Sequence, residues 1–319
     1  MNIVVLDRCT VTRGDINIDK LNELGTLSVF DVVPHEELAG VIGNADAVIC
    51  NKAKITADIM DKCPNLKYVG LFATGYDNID IEEAARRGIA VCNVPGYSTM
   101  SVAQHAFSLL LNLASNTIAY DTSVREGGWK KSGSFTYLKY PMTEIAGKYL
   151  GIVGYGAIGR KVSEIGHAFG MIPLIYTRTK PSDCPYDIVS FDELLKRSDF
   201  ISLHCPLTAE TKCLINKDAI SKMKRSAYII NTARGGVIDE DALADALING
   251  KIAGAGIDVL TTEPMREDHP YFGLPNCIIT PHVAWASIEA RTRLMDMVYD
   301  NLAAFIKGTP INNVASAKG

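Results

Sequence analysis

Three polar residues with chemically useful side chains follow apolar, strand-like runs in the C-terminal half of the chain. Arg234 follows "YIIN", Glu263 lies beyond "GAGID", and His282 follows "CIIT". Open α/β sheets bind ligands at the carboxyl ends of their strands, so these side chains are candidates for one site. An imidazole exchanges protons near neutral pH and a guanidinium binds anions, so the three types suit proton transfer beside a bound anion. Taken singly, each also has a structural interpretation: an ion-pair partner, a solvated loop acid and a capping histidine.

A glycine-rich turn lies upstream, in "YLGIVGYGAIGRKVSEIG". A strand-like run precedes Gly154-x-Gly156-x-x-Gly159 and an amphipathic helix pattern follows it, which is the context of a dinucleotide-binding turn. Gly154 permits the tight turn, Gly156 lets the backbone approach a pyrophosphate, and Gly159 lets the helix pack on its strand. The predicted cofactor turn also contains Tyr155, Ala157 and Ile158. The alternative is a tight turn between strand and helix that binds no ligand.

The strand that follows this turn ends in "TRTK", residues 177–180. An Asp or Glu that binds the adenosine ribose of NAD is expected at this position, and Thr177 stands there instead. Arg178 offers a fork of donors suited to a phosphate, Thr177 and Thr179 add hydroxyls, and Lys180 adds a charge. The sequence therefore favours NADP(H) as cofactor. The alternative is a solvated basic loop in an enzyme that uses NAD(H).

Several motifs occur in one order along the chain: "GYGAIG", "HCPLTAETKCLIN", "NTARGGVIDEDAL", "GIDVLTTEP" and "TPHVAWAS". Together they resemble the D-isomer-specific 2-hydroxyacid dehydrogenase family, and "ATGYDNID" and "NVPGYSTMSVAQHAFSLLL" extend the resemblance to the N-terminal part. The ending "PHVAWASIEARTRL" is most similar to the glycerate dehydrogenase, or hydroxypyruvate reductase, branch. The resemblance implies an oxidoreductase that transfers hydride between NAD(P)H and a small 2-oxo acid. Hydroxypyruvate would give D-glycerate and glyoxylate would give glycolate.

The resemblance also implies a role for individual residues. His282, oriented by Glu263, is the expected proton donor, and Arg234 is the expected clamp for the substrate carboxylate. The expected substrate contacts are Ala73, Thr74, Gly75, Arg234, Met100 and Trp285, the last with ordinary packing as its alternative. The expected cofactor contacts beyond the turn and residues 177–180 are Val102, Cys205, Pro206, Thr211, Thr232, Ala233, Arg234, Asp258 and His282. Asp258 is expected at the nicotinamide carboxamide, and no metal site is expected.

Two positions depart from the family pattern: Thr177 replaces the ribose acid, and Gln104 stands where many members have Glu. Three other functions remain open at this point. A formate dehydrogenase is disfavoured by the presence of Arg234, Glu263 and His282 together. A non-catalytic nicotinamide-sensing or corepressor-like protein could retain the same residues, and a reductase of bulkier 2-oxo acids would use the same chemistry.

The elements that must position these residues follow from apolar runs that alternate with helix-like segments, a pattern typical of parallel α/β sheets. The strands are predicted at 2–6, 27–32, 47–50, 67–71 and 89–92, and at 149–153, 172–176, 199–203, 227–231, 254–258 and 277–280. Long helices are predicted at 101–118 and 287–308, and an irregular loop at 125–148. The prediction is an α/β fold of two Rossmann-like, doubly wound parallel-sheet domains with an interdomain active-site cleft. Residues 1–100 plus 287–319 would bind the substrate, and residues 101–286 the nicotinamide dinucleotide.

Composition limits the partners of the chain. A formal net charge of -4 gives no global attraction to nucleic acid, and no apolar run approaches the ~20 residues of a membrane span. Eight cysteines are scattered without a C-x-x-C pair, which indicates free thiols and a cytoplasmic location. Family resemblance adds the expectation of a homodimer formed through the cofactor domain.

Overall fold

The structure is a computed structural model that describes residues 1–315. It divides into two units: Met1–Ser98 with the described residues from Ala286 onward, and Thr99–Trp285. Residues 316–319, the end of the predicted substrate domain, lie outside the described residues. Within residues 1–315, no helix is both long enough and apolar enough to cross a membrane.

Strands and helices alternate along most of the chain. The strands are β1 (Asn2–Val5), β2 (Thr26–Val29), β3 (Ala47–Cys50), β4 (Tyr68–Leu71), β5 (Ala90–Cys92), β6 (Tyr149–Val153), β7 (Ile172–Tyr176), β8 (Asp187–Ile188), β9 (Phe200–Leu203), β10 (Tyr228–Asn231), β11 (Gly254–Ile257) and β12 (Cys277–Ile279). The α-helices are α1 (Leu38–Ile42), α2 (Ala57–Lys62), α3 (Ile81–Arg86), α4 (Thr99–Ser115), α5 (Thr117–Arg125), α6 (Gly128–Ser132), α7 (Ala157–Ala168), α8 (Phe191–Arg197), α9 (Lys217–Ser221), α10 (Glu240–Ile248) and α11 (Ile288–Ile306). Each strand predicted from the sequence has its counterpart in the structure.

The first unit contains a five-stranded parallel sheet in the order β2-β1-β3-β4-β5. Its order reverses at β1, where an open α/β sheet usually has its ligand crevice. Here Asp7, which is 3 % exposed, occupies the end of β1 and accepts hydrogen bonds from the backbone N–H groups of Asn51, Lys52 and Ala53. A carboxylate of the chain itself therefore uses the donors at this switch point.

The second unit contains a seven-stranded parallel sheet in the order β12-β11-β10-β9-β6-β7-β8. Its order reverses at β6, so the glycine-rich turn that follows β6 lies at the switch point. Helix α4 packs on β11 because that strand is built from small residues: a Cβ added to Gly256 would lie 2.9 Å from the Cβ of Leu109. This close approach brings the N-terminal part of α4 near the end of β11.

Three details differ from the sequence prediction. The apolar stretch 101–118 is divided, because α4 ends at Ser115 and Asn116 adopts a left-handed backbone with φ 52° before α5 begins. The predicted irregular loop 125–148 contains the short helix α6. The two-residue strand β8 extends the sheet beyond β7 and was not predicted, since a run that short has no readable periodicity. The fold class of two parallel α/β domains is confirmed.

Candidate active site

The predicted chemical residues of the second unit lie after neighbouring strands. Asp258 follows β11, His282 follows β12, and Arg234 follows β10. Because all three strands are parallel neighbours, their carboxyl ends meet at one edge of the sheet. The fold therefore collects residues that are distant in sequence.

His282 and Glu263 form a direct pair. Nδ1 of His282 lies 2.6 Å from Oε2 of Glu263, and the two side chains are 29 % and 32 % exposed. The other carboxylate oxygen of Glu263 accepts a hydrogen bond of 3.0 Å from the N–H of Leu260, which fixes the carboxylate. Since a carboxylate is an acceptor, Nδ1 carries a proton and Nε2 is the nitrogen that can exchange one with a ligand.

The backbone at His282 is unusual for a residue with a side chain. Its φ is 54°, in the left-handed region, and its N–H donates to the carbonyl oxygens of Asp258 at 2.8 Å and Thr280 at 3.0 Å. A non-glycine residue in a sparsely populated backbone region costs about 1–3 kcal/mol and persists when its surroundings fix it. Such residues occur often at functional sites, which agrees with the predicted role of His282.

Asp258 fixes the turn that carries His282. It is 1 % exposed, and its carboxylate accepts hydrogen bonds from Thr280 Oγ1 at 2.6 Å, the N–H of Val283 at 3.0 Å and the N–H of Ala284 at 3.0 Å. Burial raises the pKa of Asp258, but the hydrogen bonds from His105, Thr280, Ala284 and Val283 outweigh burial and leave the pKa below its usual value. The ionised carboxylate is therefore the form that the turn is built around, a structural role in addition to the predicted carboxamide contact.

Arg234 is half-buried and has no carboxylate within ion-pair distance among residues 1–315. Its Nη1 donates to the carbonyl of Ala233 at 2.8 Å, and its own carbonyl accepts from the side chain of Asn231 at 3.0 Å. A Cβ on the next residue, Gly235, would overlap the backbone of Leu260 and Thr261. Gly235 therefore lets the Arg234 turn lie directly against the loop that leads to Glu263, with the guanidinium available to an anion.

The glycine-rich turn has the geometry of a dinucleotide site. Gly154 has φ 95° and packs on the backbone of His204 and Cys205, while a Cβ on Gly156 would meet no atom within 4 Å. Gly156 precedes the first residue of α7, a helix of 12 residues, so the free N–H groups of the helix face this open space. The described residues therefore leave room for a pyrophosphate at this turn.

Two buried polar atoms at the ends of β9 and β10 lack hydrogen-bond partners among the described residues. They are Nδ1 of His204, after β9, and Oγ1 of Thr232, after β10. Buried polar atoms are normally hydrogen-bonded, so unpartnered ones at a ligand crevice indicate contacts that a ligand supplies. Burial lowers the pKa of His204 to about 3, so its imidazole is neutral. Together with the turn, these atoms fit a dinucleotide cofactor.

The 177–180 loop is open to solvent. Residues 178–180 are exposed, and the one side-chain hydrogen bond described within the loop runs from Thr177 Oγ1 to the carbonyl of Thr179 at 3.3 Å. No carboxylate among the described residues lies within ion-pair distance of Arg178 or Lys180. The loop is joined to α7 by Asp183, whose two oxygens accept from Arg160 at 2.9 and 3.0 Å. A hydrogen bond from Thr208 and, more weakly, the charge of Arg178 lower the pKa of Glu210, so Arg178 has one acid nearby. Because neither cation forms an ion pair among the described residues, both keep donors available for a phosphate.

The other predicted cofactor and substrate residues are distributed as follows. Val102 and Cys205 are buried, whereas Met100, at the start of α4, is 55 % exposed. Thr211 Oγ1 donates to the carbonyl of Pro206 at 2.6 Å, and the N–H of Ala233 donates to Asn231 Oδ1 at 3.0 Å. Nε1 of Trp285 donates to the carbonyl of His282 at 2.9 Å, so the indole supports the turn of residues 280–284 that carries His282.

The predicted carboxylate-binding turn 73–75 belongs to the first unit. Oγ1 of Thr74 donates to the carbonyl of Val94 at 2.7 Å, and the side chain of Asn93 donates to the carbonyl of Thr74 at 2.7 Å. In the described part of the chain, the N–H groups of Ala73, Thr74 and Gly75 donate to no other residue. The turn is thus held in place while its backbone donors stay available.

A cavity of about 510 Å³ adjoins the Glu263–His282 pair within the second unit. Glu263 and His282 line one part of it, and the rest is mainly apolar, with Leu260, Met265, Tyr271, Leu274, Cys277 and Ile279. An apolar wall lowers the local dielectric and strengthens the hydrogen bond between Glu263 and His282. Over residues 1–315, no group of three or more His, Cys, Asp or Glu side chains is placed to hold a metal ion.

Sequence reasoning missed several residues that build this site. Within the 280–284 turn, Thr280 donates to Asp258, and Ser101 and His105 contact the turn from α4. Gly235 packs on the backbone of Leu260 and Thr261, in the loop that leads to Glu263. None of these four residues was assigned a site role. For Gly235 a signal existed, since adjacent glycines after a strand indicate close backbone approach. The contacts of Ser101 and His105 join residues more than 170 positions apart and leave no local pattern.

Known proteins are similar to this chain in sequence and in fold. The family model described as "D-isomer specific 2-hydroxyacid dehydrogenase, NAD binding domain" matches residues 107–284. Hydroxypyruvate reductase of Blautia hydrogenotrophica is 44% identical over 98% of this chain and 99% of its own length. Glycerate dehydrogenase of Methylorubrum extorquens is 42% identical over 88% of each chain.

A solved structure agrees with these relatives. The NADPH-dependent glyoxylate/hydroxypyruvate reductase of Sinorhizobium meliloti, in complex with citrate, superposes with a TM-score of 0.87 at 30% identity. The match covers 98% of this chain and 97% of that one. The second unit is a nicotinamide dinucleotide-binding domain, and the chain belongs to the D-isomer specific 2-hydroxyacid dehydrogenase family.

Proposed function

We propose that this chain is an NADPH-preferring reductase that converts hydroxypyruvate to D-glycerate and glyoxylate to glycolate. The observation that carries the chemistry is the Glu263–His282 pair at the strand ends, together with Arg234, which has no carboxylate partner among the described residues. The substrate class is supported by the names of the similar proteins, hydroxypyruvate reductase, glycerate dehydrogenase and glyoxylate/hydroxypyruvate reductase.

His282 would provide the proton. When C2 of the 2-oxo acid is reduced, the carbonyl oxygen on C2 gains negative charge. A proton donor within hydrogen-bond reach of this oxygen lowers the activation free energy of the hydride transfer. Because Glu263 contacts Nδ1, the proton leaves from Nε2, and the carboxylate stabilises the imidazolium before the transfer. The side chain is 29 % exposed, so solvent can return the proton afterwards.

Arg234 would bind the substrate carboxylate and polarise the carbonyl. A guanidinium forms paired hydrogen bonds with a carboxylate, and these fix C2 relative to His282. For the 73–75 turn of the first unit, the proposal is that its available N–H groups also bind a carboxylate. Both elements would recognise the part of the substrate that all 2-oxo acids share.

NADPH supplies the hydride when bound, and the chain's own residues position it. The turn at Gly154–Gly159 and the N-terminus of α7 would hold the pyrophosphate, while Thr232, Ala233 and Asp258 would contact the nicotinamide end. The remaining predicted contacts, Val102, Cys205, Pro206 and Thr211, would line the cofactor between these ends. Thr177, Arg178, Thr179 and Lys180 would bind the 2′-phosphate. The exposure of residues 178–180 and the lack of an ion pair at Arg178 and Lys180 among the described residues support this preference over NADH.

A reductase of bulkier 2-oxo acids is the second candidate function. The observation in its favour is the apolar cavity of about 510 Å³ beside Glu263 and His282, which has room for a branched side chain. The same proton donor and carboxylate clamp would serve that substrate.

A homodimer formed through the cofactor domain has support in exposed apolar side chains of the second unit. Phe135, Leu138 and Met142 are 96%, 78% and 61% exposed, although Tyr120 anchors the same segment through the carbonyl of Tyr140. An ordered apolar surface of this kind favours association. The proposed cytoplasmic location is supported by the eight cysteines, all of which are free.

Rates with purified protein test the function. We expect NADPH oxidation with hydroxypyruvate and glyoxylate, slower oxidation with a branched 2-oxo acid, and D-glycerate as the product from hydroxypyruvate. Faster turnover of the branched acid would favour the second candidate. Tight NADPH binding with no turnover of any 2-oxo acid would contradict both and indicate a nicotinamide sensor.

A further inference from the structure

Two polar side chains of α4 contact the turn that carries His282. Ser101 Oγ donates to the carbonyl of Ala284 at 2.7 Å, and His105 Nε2 lies 2.9 Å from Oγ1 of Thr280. Residues four apart share one face of a helix, so one face of α4 contacts both ends of the 280–284 turn. His282 lies between these two contacts.

The direction of the hydrogen bonds follows from the chemistry of the partners. Thr280 Oγ1 lies 2.6 Å from Oδ1 of Asp258, and an ionised carboxylate only accepts, so the hydroxyl proton points to Asp258. The hydroxyl oxygen must then accept from His105, whose Nε2 therefore carries a proton. Nε2 also lies 3.4 Å from the same Asp258 oxygen. The bonds run in one direction, from His105 through Thr280 to Asp258.

Asp258 passes this constraint to the backbone of His282 and of the two residues that follow it. It accepts from the N–H groups of Val283 and Ala284, and its own carbonyl accepts from the N–H of His282. The left-handed backbone of His282, with φ 54°, is therefore enclosed by bonds that end on Asp258. If the carboxylate rotated, the turn would lose the bonds from Val283 and Ala284 together, while the bond from the N–H of His282 to the backbone carbonyl of Asp258 would remain.

We propose that His105 is a positioning residue for the reaction. Through Thr280 and Asp258 it holds His282 in the backbone conformation in which the imidazole meets Glu263. The inference rests on the proposed function, since it takes His282 as the proton donor. The proposal gives His105 a role in turnover, in contrast to a side chain that only packs α4 on the sheet.

The test uses four variants of the full chain: His105→Leu, His105→Gln, Thr280→Val and the double variant His105→Leu/Thr280→Val. Gln keeps an N–H donor near the position of Nε2, whereas Leu removes it. The matched control is His167→Leu, because His167 is an exposed histidine of the same unit near the end of α7. For each variant, kcat with hydroxypyruvate, the Kd of NADPH from fluorescence and the melting temperature are measured.

A misplacement of about 1 Å can lower turnover by about 10²-fold. We therefore expect His105→Leu to lower kcat by about 10- to 100-fold, with the Kd of NADPH within about twofold of wild type. His105→Gln should recover most of the rate, and His167→Leu should not change it. The double variant should be no slower than the slower single variant, because both substitutions break the same series of bonds.

Three results in the rate measurements alone would overturn the proposal. They are a kcat of His105→Leu close to wild type, a rate that His105→Gln does not recover, and additive losses in the double variant. A parallel fall of kcat, NADPH affinity and melting temperature in both His105 variants also overturns it, since that pattern indicates a packing role. His282→Ala distinguishes failure of the proposed function from failure of this inference. If its kcat equals that of wild type, the proposed proton donor is wrong, whatever the His105 variants show.

Discussion

Two regions of the second unit differ in how firmly the protein holds them: the 280–284 turn, which carries His282, and the 177–180 loop. The turn is held by Asp258, which is 1 % exposed and whose carboxylate accepts hydrogen bonds from Thr280, Val283 and Ala284. In the loop, residues 178–180 are exposed and a 3.3 Å contact joins Thr177 to Thr179. The first region is held by hydrogen bonds within the protein, whereas the second has few contacts within it.

This difference matches the tasks that we propose for the two regions. Proton transfer depends steeply on geometry, so its donor has to be positioned in advance. Discrimination of a 2′-phosphate depends on charge and on a few donors, which exposed side chains can supply. The comparison predicts that changes in the turn alter turnover with either cofactor, whereas changes in the loop alter the ratio between cofactors.

The largest effect is expected for His282→Ala. Loss of a positioned proton donor lowers turnover by about 10²–10⁴-fold, because the carbonyl oxygen must then take its proton from water. The Kd of NADPH should change little, and fluorescence titration measures it. His167→Ala serves as the control. A His282→Ala enzyme with wild-type kcat would show that the 280–284 turn does not supply the proton.

Asp258→Asn should have the next largest effect. An amide cannot accept all the bonds that the carboxylate accepts, and an unsatisfied buried donor costs about 1–3 kcal/mol. Because the pKa of Asp258 is lowered, the ionised form stabilises the protein at neutral pH, and this contribution is lost as pH falls below about 3.9. Urea unfolding across this pH range measures both effects.

Asp245→Asn is the matched control for that experiment, since Asp245 is exposed on α10. Its free energy of unfolding should stay within about 0.5 kcal/mol of wild type. If Asp258→Asn were equally harmless, the carboxylate would not organise the turn.

Arg178→Ala should have a smaller effect, confined to one cofactor. Loss of charge-assisted hydrogen bonds to a 2′-phosphate is expected to lower kcat/KM for NADPH by about 10- to 100-fold and to leave the value for NADH almost unchanged. Arg178→Lys should fall between, because lysine keeps the charge and loses the fork. Equal losses with both cofactors would assign Arg178 to something other than the 2′-phosphate.

The smallest effect is expected for Asp183→Asn, which releases the loop from Arg160. Arg160 holds the pKa of Asp183 below its usual value, but the pair is exposed, so we expect the KM for NADPH to rise by only about two- to fivefold. Asp121→Asn breaks a comparable exposed pair with Arg125 and should leave this KM unchanged. A large loss of turnover in Asp183→Asn would show that the loop is more tightly coupled to the chemistry than the comparison allows.

Much of the fold could be predicted because parallel strands are apolar runs flanked by helix-like segments. The position of β6 before Gly154 and α7 after it follows from that pattern and from the glycine spacing. The break at Asn116 could not be predicted, since the apolar period continues across it and only its left-handed backbone separates α4 from α5. Asn adopts the left-handed conformation more readily than most residues, but Asn112 lies within α4 without a break, so residue type alone does not locate the end of the helix.

Some features of the site could also be predicted from the sequence, and others could not. His282 and Glu263 were matched by resemblance to a known family, and the structure places their side chains 2.6 Å apart. The contacts of Ser101 and His105 with residues 284 and 280, and the use of Asp7 at the first switch point, depend on long-range packing. They became visible only with coordinates, because no spacing rule links residues that distant.

One set of rates tests most directly whether the two regions have separate roles. On wild type, His282→Ala and Arg178→Ala, kcat/KM for hydroxypyruvate is measured with saturating NADPH and with saturating NADH. The kcat/KM of each cofactor is measured on the same three enzymes. The account predicts that His282→Ala lowers the rates with both cofactors by a similar factor and keeps their ratio. It predicts that Arg178→Ala reduces the preference for NADPH and keeps the rate with saturating NADH. A His282→Ala enzyme that retains its turnover, or an Arg178→Ala enzyme that retains its cofactor preference, would contradict it.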